Sequence, residues 1–370
     1  MIVFCHLLND RSGSPQVLHA AITALGGAAA ADNRLYIGSQ GRGVLEECDI
    51  QTERYWYRRS RFRLVTLFTY IFSQFLLYFK LSRARDIPAD AVIYVNTLLP
   101  FGAALWGHRT GRKVVYHLHE VSVSPRLLRR FLCGIVARTA AVVFYVSNDH
   151  RARLPIDGLR AVTLSNPIDP ALQKRGHATP YTPRRSGKFN VLMLASPRDF
   201  KGVPEFMRLA ASLLARKDLC FTLVLNAGQS EADTYAAQTR VPENVTVHPR
   251  TDQPSDFYAE ADVLVNLSRV DMWVETFGLT LAEAMAFGVP VIAPPLGGPA
   301  EMVEDGVEGY LIDSRHHDAL HSLLIKLADD PALCMALSAA ARHRADRLSF
   351  GQFAAQLLAE LAKITASEGA

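Results

Sequence analysis

Short apolar runs alternate with amphipathic stretches twice along this chain, and that rhythm restricts the fold more than any other feature. In the first half Ile2–Leu8, Arg34–Gly38, Ala91–Asn96, Val114–His119 and Val142–Ser147 read as strands. Each is continuously apolar, as parallel strands covered on both faces are. Gln16–Leu25 has helical spacing and stops at Gly26-Gly27. The second half repeats the pattern with strand Asn190–Ala195, helix Pro204–Arg216 and strands Cys220–Asn226, Val245–His248 and Val263–Leu267, and from His316 to Ala366 the chain is nearly all helical. The expected class is α/β, with two doubly wound Rossmann-like domains facing a central cleft. A length of 370 residues also exceeds one comfortable core. Pro167, Pro170, Pro180, Pro183, Gly176 and Gly187 interrupt the rhythm. The expected domains are therefore 1–166, a linker at 167–188, 189–348, and a C-terminal helical segment at 349–370.

Hydrophobic content of 49% and charged content of 21% describe an ordinary globular protein with a mild net charge of +4. The five cysteines are scattered and form no C-x-x-C pair, so they read as reduced thiols of a cytoplasmic protein and not as disulfides or a zinc site. The chain opens directly on an apolar strand, with no basic leader or cleavage site. Neither half carries G-x-G-x-x-G, which argues against a dehydrogenase.

The densest chemistry lies in Glu275-Thr-Phe-Gly-Leu-Thr-Leu-Ala-Glu283, where two carboxylates stand eight positions apart. Leu279, Ala282, Met285 and Ala286 recur at helical spacing, and Gly288 and Pro290 end the helix. Glu275 thus falls in the loop before the helix and Glu283 inside it. The free N–H groups and dipole at Phe277-Gly278-Leu279 suit a phosphate. Carboxylates on either side of such an anion site suit the hydroxyls of a nucleotide-sugar. Arg198 and Lys201, in Ser196-Pro-Arg-Asp-Phe-Lys-Gly202, sit before a second helix start and read as a diphosphate clamp, a fork and a point charge. Asn9–Gln16 joins the first strand to the first helix; Gly13 allows close backbone approach there, and Ser12 or Ser14 suits a cap. His117 and His119 point to one side at a strand end, beside Glu120. A third metal ligand is not evident, so no metal is expected. Pro294–Glu301 reads either as a lining of the donor pocket or as a tight turn before a helix. Arg269, Asp271, Trp273 and Asn226 are rim candidates.

These residues resemble those of the retaining glycosyltransferases of family 4. The E-x7-E motif matches at Glu275 and Glu283, and the match runs on through Gly297-Gly298, Glu301 and Gly306-Val-Glu-Gly309. The resemblance implies the GT-B architecture, with the last helix, about Phe350 to Ile364, crossing back onto the first domain. It implies a metal-independent, retaining hexosyltransferase using a nucleoside-diphosphate sugar, with no further cofactor. Arg198, Lys201 and the helix start at Phe277, Gly278 and Leu279 would hold the departing diphosphate. Glu283 would bind ribose, Glu275 would lie near the sugar, and Gly13 would approach the donor phosphate. His119, with His117 in reserve, would face the transferred sugar. The Arg198-to-Lys201 spacing is shorter than in many members, and only one glycine stands in the first loop. Two rivals share the fold: a sugar-nucleotide epimerase or phosphorylase, and a non-catalytic partner subunit.

From Arg54 to Arg85 there is no acidic residue, and basic residues flank the sixteen-residue apolar run Leu64–Phe79. The run is short for a span of about 20 residues, and Thr66, Thr69, Ser73 and Gln74 interrupt it. Tyr55, Trp56 and Tyr57 stand among arginines, a mixture that settles at a headgroup boundary. The expectation is a peripheral protein on the inner face of a membrane, bound to anionic lipid through 54–85. Its acceptor would be a lipid-linked sugar or glycan of polysaccharide or glycolipid assembly, with no nucleic-acid partner. The competing reading is a buried core helix.

Overall fold

The computed structural model describes residues 1–26, 32–121 and 123–366, so Gly27 of the expected helix stop and 367–370 of the expected last segment lie outside the described residues. The chain forms two compact units, one of Met1–Pro167 with Phe350–Ala370, the other of Ile168–Ser349.

The chain runs through β1 (Ile2–His6), α1 (Gly13–Ala24), β2 (Arg34–Gly38), β3 (Gln51–Tyr55), α2 (Arg63–Arg83), β4 (Val92–Asn96), α3 (Phe101–Arg109), β5 (Val114–Leu118), α4 (Arg126–Thr139), β6 (Ala140–Tyr145), α5 (Asn148–Arg153) and β7 (Ala161–Thr163). It continues with α6 (Pro170–Ala178), β8 (Phe189–Ala195), α7 (Val203–Ser212), β9 (Leu219–Leu225), α8 (Gln229–Gln238), β10 (Val245–His248), α9 (Pro254–Glu260) and β11 (Val263–Val265). Last come α10 (Leu279–Ala286), β12 (Val291–Ala293), α11 (Gly298–Met302), β13 (Gly309–Leu311), α12 (His317–Asp329), α13 (Pro331–Asp346) and α14 (Phe350–Ala366).

The first unit is a seven-stranded sheet in the order β3-β2-β1-β4-β5-β6-β7, and the second a six-stranded sheet in the order β10-β9-β8-β11-β12-β13. Neighbouring strands pair parallel. Continuous apolar strands follow from covering on both faces. In β1, Val3 and Cys5 enter a core with Leu77 of α2, Ala104 of α3 and Val136 of α4. Phe4 enters a separate core with Leu18 of α1 and Leu357 of α14. α14 therefore completes the first unit's own core. Several ladders stop one or two residues before the apolar runs do, and the residues beyond them open the loops that carry His119, Asn226 and Leu267.

The segment 167–188 is not an irregular linker. α6 lies within it, capped by the Asp169 carboxylate, which accepts from Leu172 N–H at 2.9 Å. Pro170 starts this helix, where its missing N–H costs nothing. Gly176 serves close packing: a Cβ there would lie 2.5 Å from the Ala286 carbonyl oxygen of α10. Arg342 then binds the Gly176 and Phe287 carbonyls at 2.9 and 2.8 Å.

α2 is longer than the apolar run suggested. Its 21 residues span about 32 Å at 1.5 Å each, and among the described residues it alone is long and apolar enough to cross a membrane. One face packs in the core and the other is exposed, and the burial does not follow the apolar run. Ser73 and Gln74 are buried with Tyr70, Leu77 and Leu81, and Gln74 accepts from Gly102 N–H of α3 at 3.3 Å. Thr66 and Thr69 donate to the Ser60 and Arg58 carbonyls. Leu64, Phe68, Phe72, Phe75 and Phe79 form an exposed stripe, with Leu64 at 81% and Phe68 at 72% exposure. The polar residues that interrupt the run thus serve the protein side.

Candidate functional site

In the second unit, chain connections leave β8 toward β9 and β11 toward β12, so the strand order reverses between β8 and β11. Open α/β sheets bind ligands at the carboxyl ends of such a pair. Lys201 follows β8 and Glu275 follows β11. Gly202 brings the two loops together: it has φ +86, and a Cβ there would lie 2.0 Å from the Leu267 carbonyl oxygen. Arg269 N–H also donates to the Phe200 carbonyl at 2.9 Å.

Lys201 Nζ consequently lies 2.6 Å from Glu275 Oε1, which also accepts from Ser268 Oγ at 2.7 Å. The Lys201 ammonium rests over the Trp273 ring, 4.7 Å from its centroid, and Trp273 stacks on Phe200. Burial pushes the Glu275 carboxyl up. Lys201, Ser268 and Trp273 outweigh that and hold it below its ordinary value. An ammonium has three N–H groups; Glu275 takes one, leaving donors for another anion.

Gly278 precedes α10 with φ +98. The helix start has no side-chain cap, which leaves backbone N–H groups of its first turn for an anion. Gly297 and Gly298 press against this loop. A Cβ on Gly297 would lie 2.3 Å from the Glu275 carbonyl oxygen, and one on Gly298 2.4 Å from Phe277 Cα. Gly298 N–H donates to the Glu275 carbonyl at 2.9 Å. This glycine pair therefore braces the motif as well as opening α11. Glu283 lies one turn into α10 and accepts from the buried Tyr258 hydroxyl of α9 at 2.6 Å. Burial pushes its carboxyl up to about 7, with Asp169 adding and the Tyr258 bond opposing.

The two cations of the expected clamp have different neighbours. Lys201 faces Glu275. Arg198 is exposed and lines a cavity of about 680 Å³ with Gly228, Gln229 and Tyr235. Among the described residues the two cations share no partner. The tight turn Asp199–Lys201 between them sends their side chains to different neighbours. Arg269 and Asp271 pair with each other at 2.9 Å. Glu308, in the Gly306–Gly309 stretch, pairs with Arg344 at 2.7 Å.

In the first unit the strand order reverses between β1 and β4, and the candidates again gather there. His119 Nε2 lies 2.9 Å from Asn96 Oδ1. Burial, then His117, His150 and His6, holds its pKa well below the ordinary value. His117 is fully buried, its Nδ1 lies 2.8 Å from the Tyr94 hydroxyl, and burial with His150 pushes its pKa down to about 3. His117 is thus a core group and not a reserve for His119. Glu120 Oε2 turns to the backbone N–H groups of Leu98 and His119, both at 3.3 Å. Gly13 is the first residue of α1, with open space where a Cβ would stand. Neither Ser12 nor Ser14 caps α1: Ser12 N–H and Oγ turn back to Asp10 Oδ1.

Sequence reasoning missed Ser268, Tyr258 and Asn96. Lone hydroxyls carry no spacing signal. Asn96, a polar residue ending an apolar run at the sheet's reversal, carried one.

The full chain superposes on the crystal structure of Anabaena HepE with UDP and glucose, at 20% identity and a TM-score of 0.77, covering 98% of this chain and 99% of that one. The fold is GT-B. A sucrose-phosphate synthase from Thermosynechococcus elongatus superposes with a TM-score of 0.74 at 18% identity over 99% of both chains. Residues 180–344 match the family model described as glycosyl transferases group 1, a stretch that contains Lys201, Glu275 and Glu283. A D-inositol 3-phosphate glycosyltransferase from Catenulispora acidiphila is 35% identical over 185 residues, 46% of this chain and 43% of that protein. One from an Arthrobacter species is 31% identical over 171 residues, 44% and 39% of the two chains. The chain thus spans about two fifths of the length of these curated relatives.

Proposed function

We propose that the chain is a retaining, metal-independent glycosyltransferase of family 4, moving a hexosyl group from a nucleoside-diphosphate sugar to a lipid-linked or glycan acceptor. The observation that carries the reading is the Lys201–Glu275–Ser268 cluster beside the uncapped start of α10. The remaining Lys201 donors and the N–H groups around Leu279 stabilise the diphosphate as its charge grows, electrostatic help concentrated in the transition state. Arg198 approaches the diphosphate from the β8 loop, and Gly13 gives backbone access to the donor. Glu283 accepts ribose hydroxyls. Glu275 lies beside the sugar, and His119 also contacts it. The sugar's anomeric carbon–phosphate oxygen bond breaks as the acceptor oxygen bonds on the same face. The acceptor's proton passes to the leaving phosphate.

The lipid side of the reading rests on α2 and α4. Both present exposed Leu and Phe, including Leu127 and Phe131 on α4. No acidic residue occurs from Arg54 to Arg85 or from Val121 to Asn148. Arg63 Nη2 reaches Ser124 Oγ at 3.4 Å, which ties the approaches to the two helices together. An apolar stripe set among arginines fits an anionic inner leaflet. These features support a position at the cytoplasmic face of a membrane, in polysaccharide or glycolipid assembly.

Thermal stability measured with UDP, GDP and ADP, followed by nucleotide release from the matching sugar, tests the reading. Stabilisation by one nucleotide, and its release only when an acceptor is added, is expected. Turnover without acceptor indicates an epimerase. Binding of none indicates a non-catalytic subunit.

A further inference from the structure

The side chain of Asn96, the last residue of β4, is fully buried and joins three segments at the reversal of the first sheet. Its Nδ2 lies 3.1 Å from the Ser14 carbonyl oxygen at the start of α1 and 3.1 Å from His6 Nδ1 at the end of β1. Its Oδ1 lies 2.9 Å from His119 Nε2 beyond β5. The next residue, Thr97, sits at φ +75, a left-handed conformation that costs a β-branched residue strain, and its N–H is bonded to the His117 carbonyl at 2.8 Å.

The proton positions follow from donor and acceptor chemistry. A carbonyl oxygen only accepts, so the amide nitrogen must face Ser14. The amide oxygen then faces His119, and it too only accepts. His119 Nε2 must carry the proton, and Nδ1 must carry the lone pair. Among the described residues Nδ1 has no hydrogen-bond partner, and it is not fully buried. Flipping the amide would set two acceptors against each other at Ser14.

We propose that Asn96 is a positioning residue: it locks His119 in the Nε2–H tautomer, so that Nδ1 accepts a hydrogen bond from a donor-sugar hydroxyl. The same amide holds the first turn of α1 through the Ser14 carbonyl. This rests on the role of His119 proposed above. The tautomer of a ring is set by the bond its other nitrogen makes.

The test is a long-range ¹H–¹⁵N imidazole spectrum of the full chain, with His119 assigned by its loss in His119→Gln. The expected pattern is Nε2–H in the wild type and in Asn96→Asp, which keeps an acceptor in place, and a mixed or Nδ1–H pattern in Asn96→Leu. A wild-type Nδ1–H pattern, or an unchanged pattern in Asn96→Leu, overturns the proposal. UDP-glucose turnover adds a double-mutant cycle. Asn96→Leu and His119→Ala should each lower kcat by roughly tenfold or more, with little further loss together. Additive losses mean that Asn96 is only structural. A correct tautomer with wild-type kinetics for His119→Ala would sink the role of His119 and leave the tautomer assignment standing.

Discussion

Lys201 Nζ and Glu275 Oε1 stand 2.6 Å apart, although 74 residues separate them and each follows a different strand of the second sheet. The pair explains why a carboxylate pushed up by burial nevertheless lies below its ordinary value. In the proposed function it makes Lys201 a shared donor between that carboxylate and an arriving diphosphate. Replacing Lys201 with Ala removes this pull, so the Glu275 carboxyl should rise. The acid limb of kcat/KM against pH should move to higher pH in Lys201→Ala, and Glu275→Gln should abolish that limb. An acid limb unmoved in Lys201→Ala would separate the two residues functionally.

Glu283 makes the opposite prediction. Its carboxyl is raised from 4.5 to about 7, so the fold favours the protonated form. That share of stability is complete below about 4.5 and is lost as pH rises through about 7. The Tm of the wild type should therefore fall relative to Glu283→Gln between about pH 4.5 and 7 and level off above. Nucleotide affinity should rise as pH passes through about 7 if, as proposed, the ionised carboxylate accepts ribose hydroxyls, and Glu283→Gln should flatten that rise. Tyr258→Phe removes a bond that lowers the pKa, so both transitions should shift upward.

The alternation of wholly apolar runs made both sheets legible, because a parallel strand covered on two faces leaves no polar side to disguise it. β3 escaped notice because Gln51–Tyr55 lies at the sheet edge, where polar residues meet solvent. α6 escaped because Pro170 and Gly176 look alike in a linker and in a helix that begins on one and packs through the other. The E-x7-E spacing placed Glu275 in a loop and Glu283 in a helix, but the partners of both come from remote segments. Ser268 and Tyr258 matter only through three-dimensional proximity. The division of Arg198 from Lys201 depends on one tight turn whose side-chain directions no spacing reveals.

Two glycines should behave differently when changed to Ala. At Gly298 a Cβ would lie 2.4 Å from Phe277 Cα, so the substitution should displace the motif loop and lower both Tm and kcat/KM. At Gly13 there is open space and an ordinary helical start. Gly13→Ala should keep or raise stability by about 0.4–1 kcal/mol, while donor KM rises if the backbone there approaches phosphate. Equal Tm losses for the two variants would contradict this account of the loops.

The exposed stripe of α2 predicts sedimentation with vesicles containing anionic lipid at low salt, reduced at high salt. Changing Arg58, Arg59, Arg61 and Arg63 together to Ser should leave the protein in the supernatant, with each basic residue contributing up to about 1 kcal/mol. Changing Phe68 and Phe72 to Ser should lower sedimentation at low salt while leaving its proportional fall at high salt unaltered. If the wild type fails to sediment at low salt, or the arginine variant sediments equally well, the membrane reading is lost.

Calorimetric titration of UDP, GDP and ADP into the wild type and Lys201→Ala tests the central claim most directly. One nucleotide should bind the wild type, and Lys201→Ala should weaken it by about 1.5–3 kcal/mol, the range for a charge-assisted hydrogen bond. Absence of binding by all three, or equal affinity in the variant, would contradict a diphosphate site built on Lys201.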